Sequence, residues 1–260
     1  MQIIRGANQF KEYLRSNDWS AGCLADTGFL YAASYADDRV YQQAIQAFDL
    51  LEEFDVPIYA NVISRMEFVD LIFRKQLTLG ALQTFKDMKS NSIHAELFNF
   101  LKKVRDDDTS HKRNKQSFKI GEKRLKKLRQ KLEQALGPTG WKRFCATCAG
   151  SMLKNEWQIM EEEFGLHFVE VLEGQTSDII VQPLRWIDMV NTMGDMGIRG
   201  PDAMILNLFI SSNLPVLITA DKDYEFEDSD DPATQGKTIL ILEEMSDLVG
   251  ELSLVESDDP

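Results

Sequence analysis

Short apolar runs alternate with segments of helical periodicity in the first and last thirds of the chain. The clearest run is VLIT at residues 216–219, a continuous apolar stretch between turn residues, which is typical of a strand buried on both faces of a parallel sheet. Similar short runs predict strands at residues 21–25, 56–59, 166–172 and 238–242.

Apolar residues at spacings of three and four predict helices between these strands. We expect helices at 1–18, 37–54, 62–75, 179–193 and from about 200 to 212. In the third of these, Asn61 is a good N-cap, and Val62, Met66, Val69 and Phe73 form the predicted buried stripe. Glu67 would then lie beside the buried face of that helix.

Strand patterns are absent between residues 77 and 163, where every segment has a helical pattern. The alternation on both sides of this region predicts an α/β fold with a doubly wound, mostly parallel sheet. The predicted domains are therefore a discontinuous α/β domain, 1–76 with 164–260, and an all-helical insertion, 77–163.

Charge is distributed unevenly along this acidic chain. The net charge is −13, which by itself argues against a nucleic-acid partner, but residues 102–143 contain fifteen Lys or Arg and only five Asp or Glu. Leu125, Leu128 and Leu132 give the basic helix an apolar seam for docking. Its outward face is either a solvated surface or an arm that binds phosphates. The candidate nucleic-acid-binding residues are Lys112, Arg113, Lys115, Lys123, Arg124, Lys126, Lys127 and Arg129.

Cysteine content and hydropathy indicate a cytoplasmic protein without a membrane partner. The first twenty residues mix charged and apolar positions, and no window approaches eighteen consecutive apolar residues. There are three cysteines, an odd number that does not suggest a disulfide framework. Cys145 and Cys148 form a CxxC motif, but a zinc site needs four ligands, so a structural position on a helix is the better interpretation.

Acidic residues stand at the ends of two predicted strands and on two predicted helices. Asp26 follows the strand at 21–25, and Asp221 follows the strand at 216–219. Asp202 lies in the first turn of a helix that starts near Pro201, and Glu67 is on the helix after Asn61. Because ligands of open parallel sheets bind beyond the carboxyl ends of the strands, these acids are expected at one edge.

Such a group of carboxylates needs protons or a cation for compensation. Two carboxylates about 4 to 5 Å apart repel by several kcal/mol at an effective dielectric near 20. Mg²⁺ or Mn²⁺ is the natural candidate, because hard cations take oxygen ligands and commonly bridge carboxylates to phosphate oxygens. The chemistry this suggests is hydrolysis of a phosphodiester by a metal-activated water. The three histidines, His94, His111 and His167, have no recognisable metal-ligand spacing.

Four segments, taken in order, resemble the PIN-domain nucleases, which include the VapC toxins. They are LADTGFLY at 24–31, NVISRMEFVDL at 61–71, MGIRGPDAMIL at 196–206 and PVLITADKDYE at 215–225. The resemblance covers roughly residues 20–75 and 165–245 and implies a three-layer α/β/α fold.

The resemblance also implies roles for individual residues. Asp26 and Asp221 would ligate the ion directly, and Glu67 and Asp202 would ligate it or hold its waters. Thr27 and Thr219 would orient these groups by hydrogen bonds. Asp223 either adds a ligand or only caps the following turn.

The expected activity is that of a divalent-metal-dependent endoribonuclease acting on single-stranded or structured RNA. Two alternatives stay open: a catalytically inactive PIN-like module that binds RNA or protein, and a DNA nuclease of the flap or nick type. The family resemblance adds two candidate partners, a second copy of the chain in a homodimer and an inhibitory protein that covers the site.

Overall fold

Parallel strands form a single sheet at the centre of the α/β part of the chain. The computed structural model describes residues 1–4, 7–17, 19–88, 94–113, 117–170, 173–221, 224 and 234–242. Within them the strands are β1 (Gln2–Ile4), β2 (Cys23–Ala25), β3 (Ile58–Asn61), β4 (His167–Val169), β5 (Val216–Thr219) and β6 (Thr238–Ile241). All six pair in parallel in the order β1-β6-β5-β2-β3-β4, which confirms the predicted α/β class and parallel sheet.

Helices connect these strands and also form the middle of the chain. None of those in the described part combines the length and apolarity that a membrane crossing requires. They are α1 (Ala7–Ser16), α2 (Thr27–Ser34), α3 (Tyr41–Glu53), α4 (Val62–Asp87), α5 (Ala95–Arg113), α6 (Glu122–Leu136), α7 (Gly140–Cys148), α8 (Gly150–Glu163), α9 (Trp186–Met196) and α10 (Gly200–Ser211).

The chain divides into two compact units. The first comprises Met1–Ala36, Val40–Phe68 and Met160–Pro260, and the second comprises Asp37–Arg39 and Val69–Ile159. The first unit contains the sheet, and its core includes the fully buried Leu24, Leu217 and Ile239 of three adjacent strands. The second unit has a separate helical core built around Leu101, Leu128 and Leu132.

The N-terminal segment differs from its predicted helix. Residues 2–4 form strand β1 instead, with Ile3 paired to Ile239 of β6, and the helix begins only at Ala7. The rest of the predicted helix is α1, and Phe10 and Leu14, four residues apart on it, are both buried. Pairing with a strand more than 230 residues away overrode the local pattern, because adjacent β-branched residues suit a pleated surface.

The helix predicted at 179–193 begins later, at Trp186. The preceding segment pairs with the end of α10 instead: Ile180 forms an antiparallel bridge with Ser212, and Asn213 N donates to the carbonyl of Ile179 over 2.8 Å. These long-range backbone bonds replace the helical ones.

The buried face of α4 also differs from the prediction. Asn61 caps the helix as expected, since its Oδ1 accepts a hydrogen bond from Ser64 N at 2.8 Å. The side chains that turn inward, however, are those of Ser64, Phe68 and Ile72. The predicted stripe is largely exposed: Val62 is 54%, Met66 65% and Val69 38% accessible, and Phe73 is half-buried.

Candidate functional site

The carboxyl ends of β2 and β5 lie side by side where the strand order reverses. From β2 the chain adds β3 and β4 on one side, and β5 and β6 occupy the other side. Ala25, the last residue of β2, is in register with Ile218, the last but one of β5. Asp26 follows β2 directly, and Asp221 lies two residues beyond the end of β5. In open α/β sheets this switch point is the usual place for a ligand.

Asp26 is held by hydrogen bonds at the start of α2. Its Oδ1 accepts from Thr27 N at 2.6 Å, and its Oδ2 accepts from Thr219 Oγ1 at 2.8 Å and from Gly28 N at 3.4 Å. The side chain is buried, and burial raises the pKa of Asp26 to about 7. The hydrogen bonds oppose this rise in pKa, and the negative charge of Asp202 adds to it.

Glu67 and Asp202 approach the same edge of the sheet from two helices. Thr27 Oγ1 donates to Glu67 Oε2 at 3.0 Å, which ties the first turn of α2 to α4. Asp202 is buried in the first turn of α10, after Pro201, and its Oδ2 accepts from Arg199 Nε at 3.2 Å.

Asp221 joins the site through the backbone. Its N–H donates to Thr219 Oγ1 at 3.0 Å, and that hydroxyl donates in turn to Asp26. Thr219 therefore links the acids that follow the two strands. Both threonines predicted to support the site thus contact the predicted acids.

All four acids lie close enough to one buried residue, Tyr224, to affect its pKa. Tyr224 is fully buried, and its hydroxyl donates to the backbone carbonyl of Asp202 at 3.2 Å. Burial raises the pKa of Tyr224, and the negative charges of Asp26, Asp202, Asp221 and Glu67 raise it further. The four carboxylates therefore form one electrostatic cluster.

The fit of this cluster to a metal ion can be assessed from its donor set. Its side chains offer only carboxylate and hydroxyl oxygens, which suits Mg²⁺ or Mn²⁺ rather than a softer ion. As the side chains stand, no three His, Cys, Asp or Glu residues in the described ranges are grouped so as to hold a metal ion. Oxygens of Asp26, Glu67 and Asp202 instead accept hydrogen bonds from Thr219, Thr27 and Arg199. Asp223 lies outside the described residues.

The basic surface on α6 lies in the second unit. Leu128 and Leu132 are buried and Leu125 is half-buried, so the predicted seam docks this helix. Its exposed cations form two groups. Arg124 pairs with Asp107 and Arg129 with Glu133, whereas Lys123, Lys126 and Lys127 have no ion pair among the residues that the structure describes.

Two further predicted cations lie at the end of α5. Lys112 and Arg113 are both exposed, and Lys112 pairs with Asp108 at 2.9 Å. Lys115 falls outside the described residues.

The CxxC cysteines occupy structural positions on α7, as expected. Cys145 and Cys148 are free thiols packed against the helical core of the second unit. A Cβ placed on Gly80 would lie 2.2 Å from Cys148 Sγ, so α4 and α7 approach each other closely there.

Three residues at the site were not assigned a role from the sequence. Arg199 pairs with Asp202, Tyr224 bonds to its backbone, and Gly28 lies where an added Cβ would be 3.2 Å from Ala220 Cβ. The i,i+3 spacing of Arg199 and Asp202 at a helix start is a signal that could have identified this pair. The contacts of Gly28 and Tyr224 depend on the tertiary fold.

Comparisons with protein-family models, curated proteins and solved structures found no match to this chain. Its function is therefore inferred from its own residues.

Proposed function

We propose that this protein is a divalent-metal-dependent endoribonuclease with a PIN-like, three-layer α/β/α arrangement. The observation that carries the proposal is the convergence of four acids at the switch point of the sheet, where they act together on Tyr224. Burying carboxylates together is unfavourable unless a cation or protons compensate for their repulsion. A pKa of about 7 at Asp26 is one sign of that repulsion and burial.

Each acid has a role in this proposal. Asp26 and Asp221 would hold Mg²⁺ or Mn²⁺, while Glu67 and Asp202 would hold the same ion or its waters. The bound ion would supply a water of lowered pKa and neutralise charge on the leaving oxygen. Thr219 orients Asp26 and Thr27 orients Glu67 through the hydrogen bonds described above.

The exposed lysines of α6 support a nucleic acid as the substrate, and the family resemblance favours RNA. An acidic chain repels a polyanion, so a nuclease of this composition needs a local cationic surface. Lys123, Lys126 and Lys127 supply such a surface.

The test is cleavage of an end-labelled single-stranded RNA, with matched DNA, in Mn²⁺, Mg²⁺ or EDTA. We expect metal-dependent RNA cleavage that falls at least about 100-fold in Asp26→Asn and Asp202→Asn, beyond the effect typical of residues that only support ligands. Asp188→Asn is the matched control, because Asp188 also lies in the first turn of a helix and pairs with an arginine three residues earlier. Undiminished cleavage by both site variants would refute the assignment, and preferential cleavage of DNA would identify a DNA nuclease.

A second candidate is a non-catalytic module that binds RNA. It is favoured by one observation, that the acids of the described residues are not grouped to hold an ion. This candidate predicts RNA binding without cleavage in any metal and normal binding by Asp26→Asn. In both candidates, replacing Lys123, Lys126 and Lys127 with glutamine should lower the slope of log K against log salt by up to about 2.

A matched control for the triple variant removes three positive charges from α5 instead of α6. Lys102, Lys103 and Arg105 on α5 are exposed and can be replaced together by glutamine. A similar loss of affinity in the control would indicate a general effect of charge rather than contact through α6.

A further inference from the structure

Arg199 lies at the entrance to the acid cluster. It directly precedes α10, and its side chain is 74% exposed, whereas the side chain of its partner Asp202 is only 7% exposed. The guanidinium therefore contacts a buried acid through Nε while most of its surface faces solvent.

Arg199 is affected by the negative charge of other acids besides Asp202. Asp202 raises the pKa of Arg199 most strongly, and Glu67 and Asp221 raise it further. Arg199 is thus a cation placed within the field of at least three of the four acids, on their solvent side.

The chemistry of guanidinium suits a phosphate in this position. Its planar fork carries five N–H donors and binds phosphate oxygens through two parallel hydrogen bonds. The hydrogen bond to Asp202 engages Nε, so the terminal Nη groups can meet a ligand from solvent. A phosphodiester approaching the carboxylates is repelled by their negative charge, which the guanidinium offsets locally.

We propose that Arg199 is a substrate-binding residue whose guanidinium binds the non-bridging oxygens of the substrate phosphate at the acid cluster. This proposal rests on the proposed nuclease function. Arg199 holds Asp202 through Nε and presents its Nη groups to the incoming phosphate.

Arg185 provides a closely matched control. It also directly precedes a helix, is 65% exposed and pairs with an aspartate three residues later, Asp188. Asp188 is 37% exposed, in contrast to the buried Asp202. The two arginines thus share their position before a helix and the spacing to their aspartates. They differ in the acids that surround them and in their hydrogen bonds, since Arg185 binds Asp188 through both Nε and Nη2.

The experiment measures binding of a short single-stranded RNA in EDTA, across a salt series, for the unaltered protein, Arg199→Gln, Arg199→Lys and Arg185→Gln. Loss of one phosphate contact should reduce the slope of log K against log salt by about 0.7 in Arg199→Gln. Arg199→Lys should recover most of the slope, since it keeps the charge, but not the full affinity, since it loses the bidentate fork. Arg185→Gln should match the unaltered protein.

Steady-state cleavage in Mn²⁺ gives a second readout. We expect Arg199→Gln to raise KM for RNA, with a smaller effect on kcat. An unchanged salt slope in Arg199→Gln, an equal loss in Arg185→Gln, or no RNA binding by the unaltered protein would overturn the proposal.

The two proposals can fail separately. RNA binding that depends on Arg199 without cleavage in any metal would support the phosphate contact and refute the nuclease. Cleavage that is lost in Asp26→Asn but unaffected in Arg199→Gln would support the nuclease and refute the phosphate contact.

Discussion

Thr219 Oγ1 donates a hydrogen bond of 2.8 Å to Asp26 Oδ2, joining two residues 193 positions apart. Thr219 is fully buried at the end of β5 and also accepts from Asp221 N at 3.0 Å. Replacing Thr219 with valine keeps the shape of the side chain and removes both bonds. We expect Mn²⁺ affinity to fall by about 10 to 100-fold, the usual effect of losing a group that orients a metal ligand. Isothermal titration calorimetry would measure the change.

Thr238→Val controls for the loss of a buried strand hydroxyl. Thr238 is buried at the start of β6, and its hydroxyl donates to Tyr13 OH at 2.8 Å. Both variants should lose a similar free energy of unfolding, about 1 to 2 kcal/mol, but only Thr219→Val should lose affinity for the ion. Equal Mn²⁺ affinity in the two variants would show that Thr219 has no specific role in ion binding.

Asn61→Ala should lower the free energy of unfolding by about 1 kcal/mol. The variant removes the acceptor for Ser64 N at the start of α4. Chemical denaturation would measure the loss. Asn61→Ser should retain most of the stability, because serine caps helices about as well as asparagine. If Asn61→Ser lost as much free energy of unfolding as Asn61→Ala, Asn61 would stabilise the protein through packing and not through its cap.

Gly80→Ala should destabilise the protein, although the same change in a helix normally stabilises it by up to about 1 kcal/mol. The added Cβ would lie 2.7 Å from Cys148 Cβ, as well as close to its sulfur, so helix α4 or α7 must shift. We expect a loss of about 1 to 3 kcal/mol, as for other overpacked contacts. Thermal and chemical denaturation would measure the sign and the size of the change in the free energy of unfolding.

A double variant tests whether this contact is the cause. Cys148→Gly removes the side-chain atoms that the Cβ added at position 80 would meet, so Gly80→Ala should be far less damaging in that background. An unchanged penalty would show that the strain arises elsewhere along α4.

Lys237 should make the free energy of unfolding rise with pH above about 8. Burial lowers the pKa of Lys237 to about 8 from its ordinary 10.5, while its Nζ donates to the carbonyls of Ser212 and Leu214. Between these two pH values the unfolded chain binds more protons than the folded one, so the free energy of unfolding increases with pH. Lys237→Arg stays protonated in both states and should show a smaller rise between about pH 8 and 9.5. Urea denaturation at several pH values would measure both slopes.

Lys119 should keep part of the rise in the free energy of unfolding with pH in the Lys237→Arg variant. Burial also lowers its pKa to about 8, so it contributes in the same direction in both proteins. Identical slopes for the unaltered protein and Lys237→Arg would show that Lys237 does not titrate in this range.

The fold was predictable where a local pattern and the tertiary structure agree. The apolar run at Val216–Thr219 is a central strand, fully buried on both faces, and the helix expected from about 200 to 212 is α10. β1 was missed because its partner is far away in sequence. The buried face of α4 was predicted incorrectly because counting apolar residues favoured Val62 and Met66, whereas the core takes Phe68 and Ile72.

The candidate site shows the same division. The acids could be placed at strand ends and helix starts because those positions are marked by turn residues and by Pro201. The supporting bonds of Thr27 and Thr219 were predicted in kind, but their partners depend on which strands become neighbours. Arg199 was given no role because an exposed arginine before a helix is common. Its difference from Arg185 lies in the burial of Asp202 and in the single hydrogen bond to it, neither of which the sequence reveals.

The pairing of β2 with β5 also sets when the acid cluster can appear during synthesis. Asp26 leaves the ribosome before its neighbour Thr219, which follows 193 residues later. At about 5 to 20 residues per second, the ribosome needs roughly 10 to 40 s to cover that interval. The helices between Ala95 and Cys148 are made during this time and can form their own local core. A nascent chain that has not yet reached Thr219 therefore carries no assembled carboxylate cluster, and the proposed nuclease would be inactive towards its own messenger up to that point.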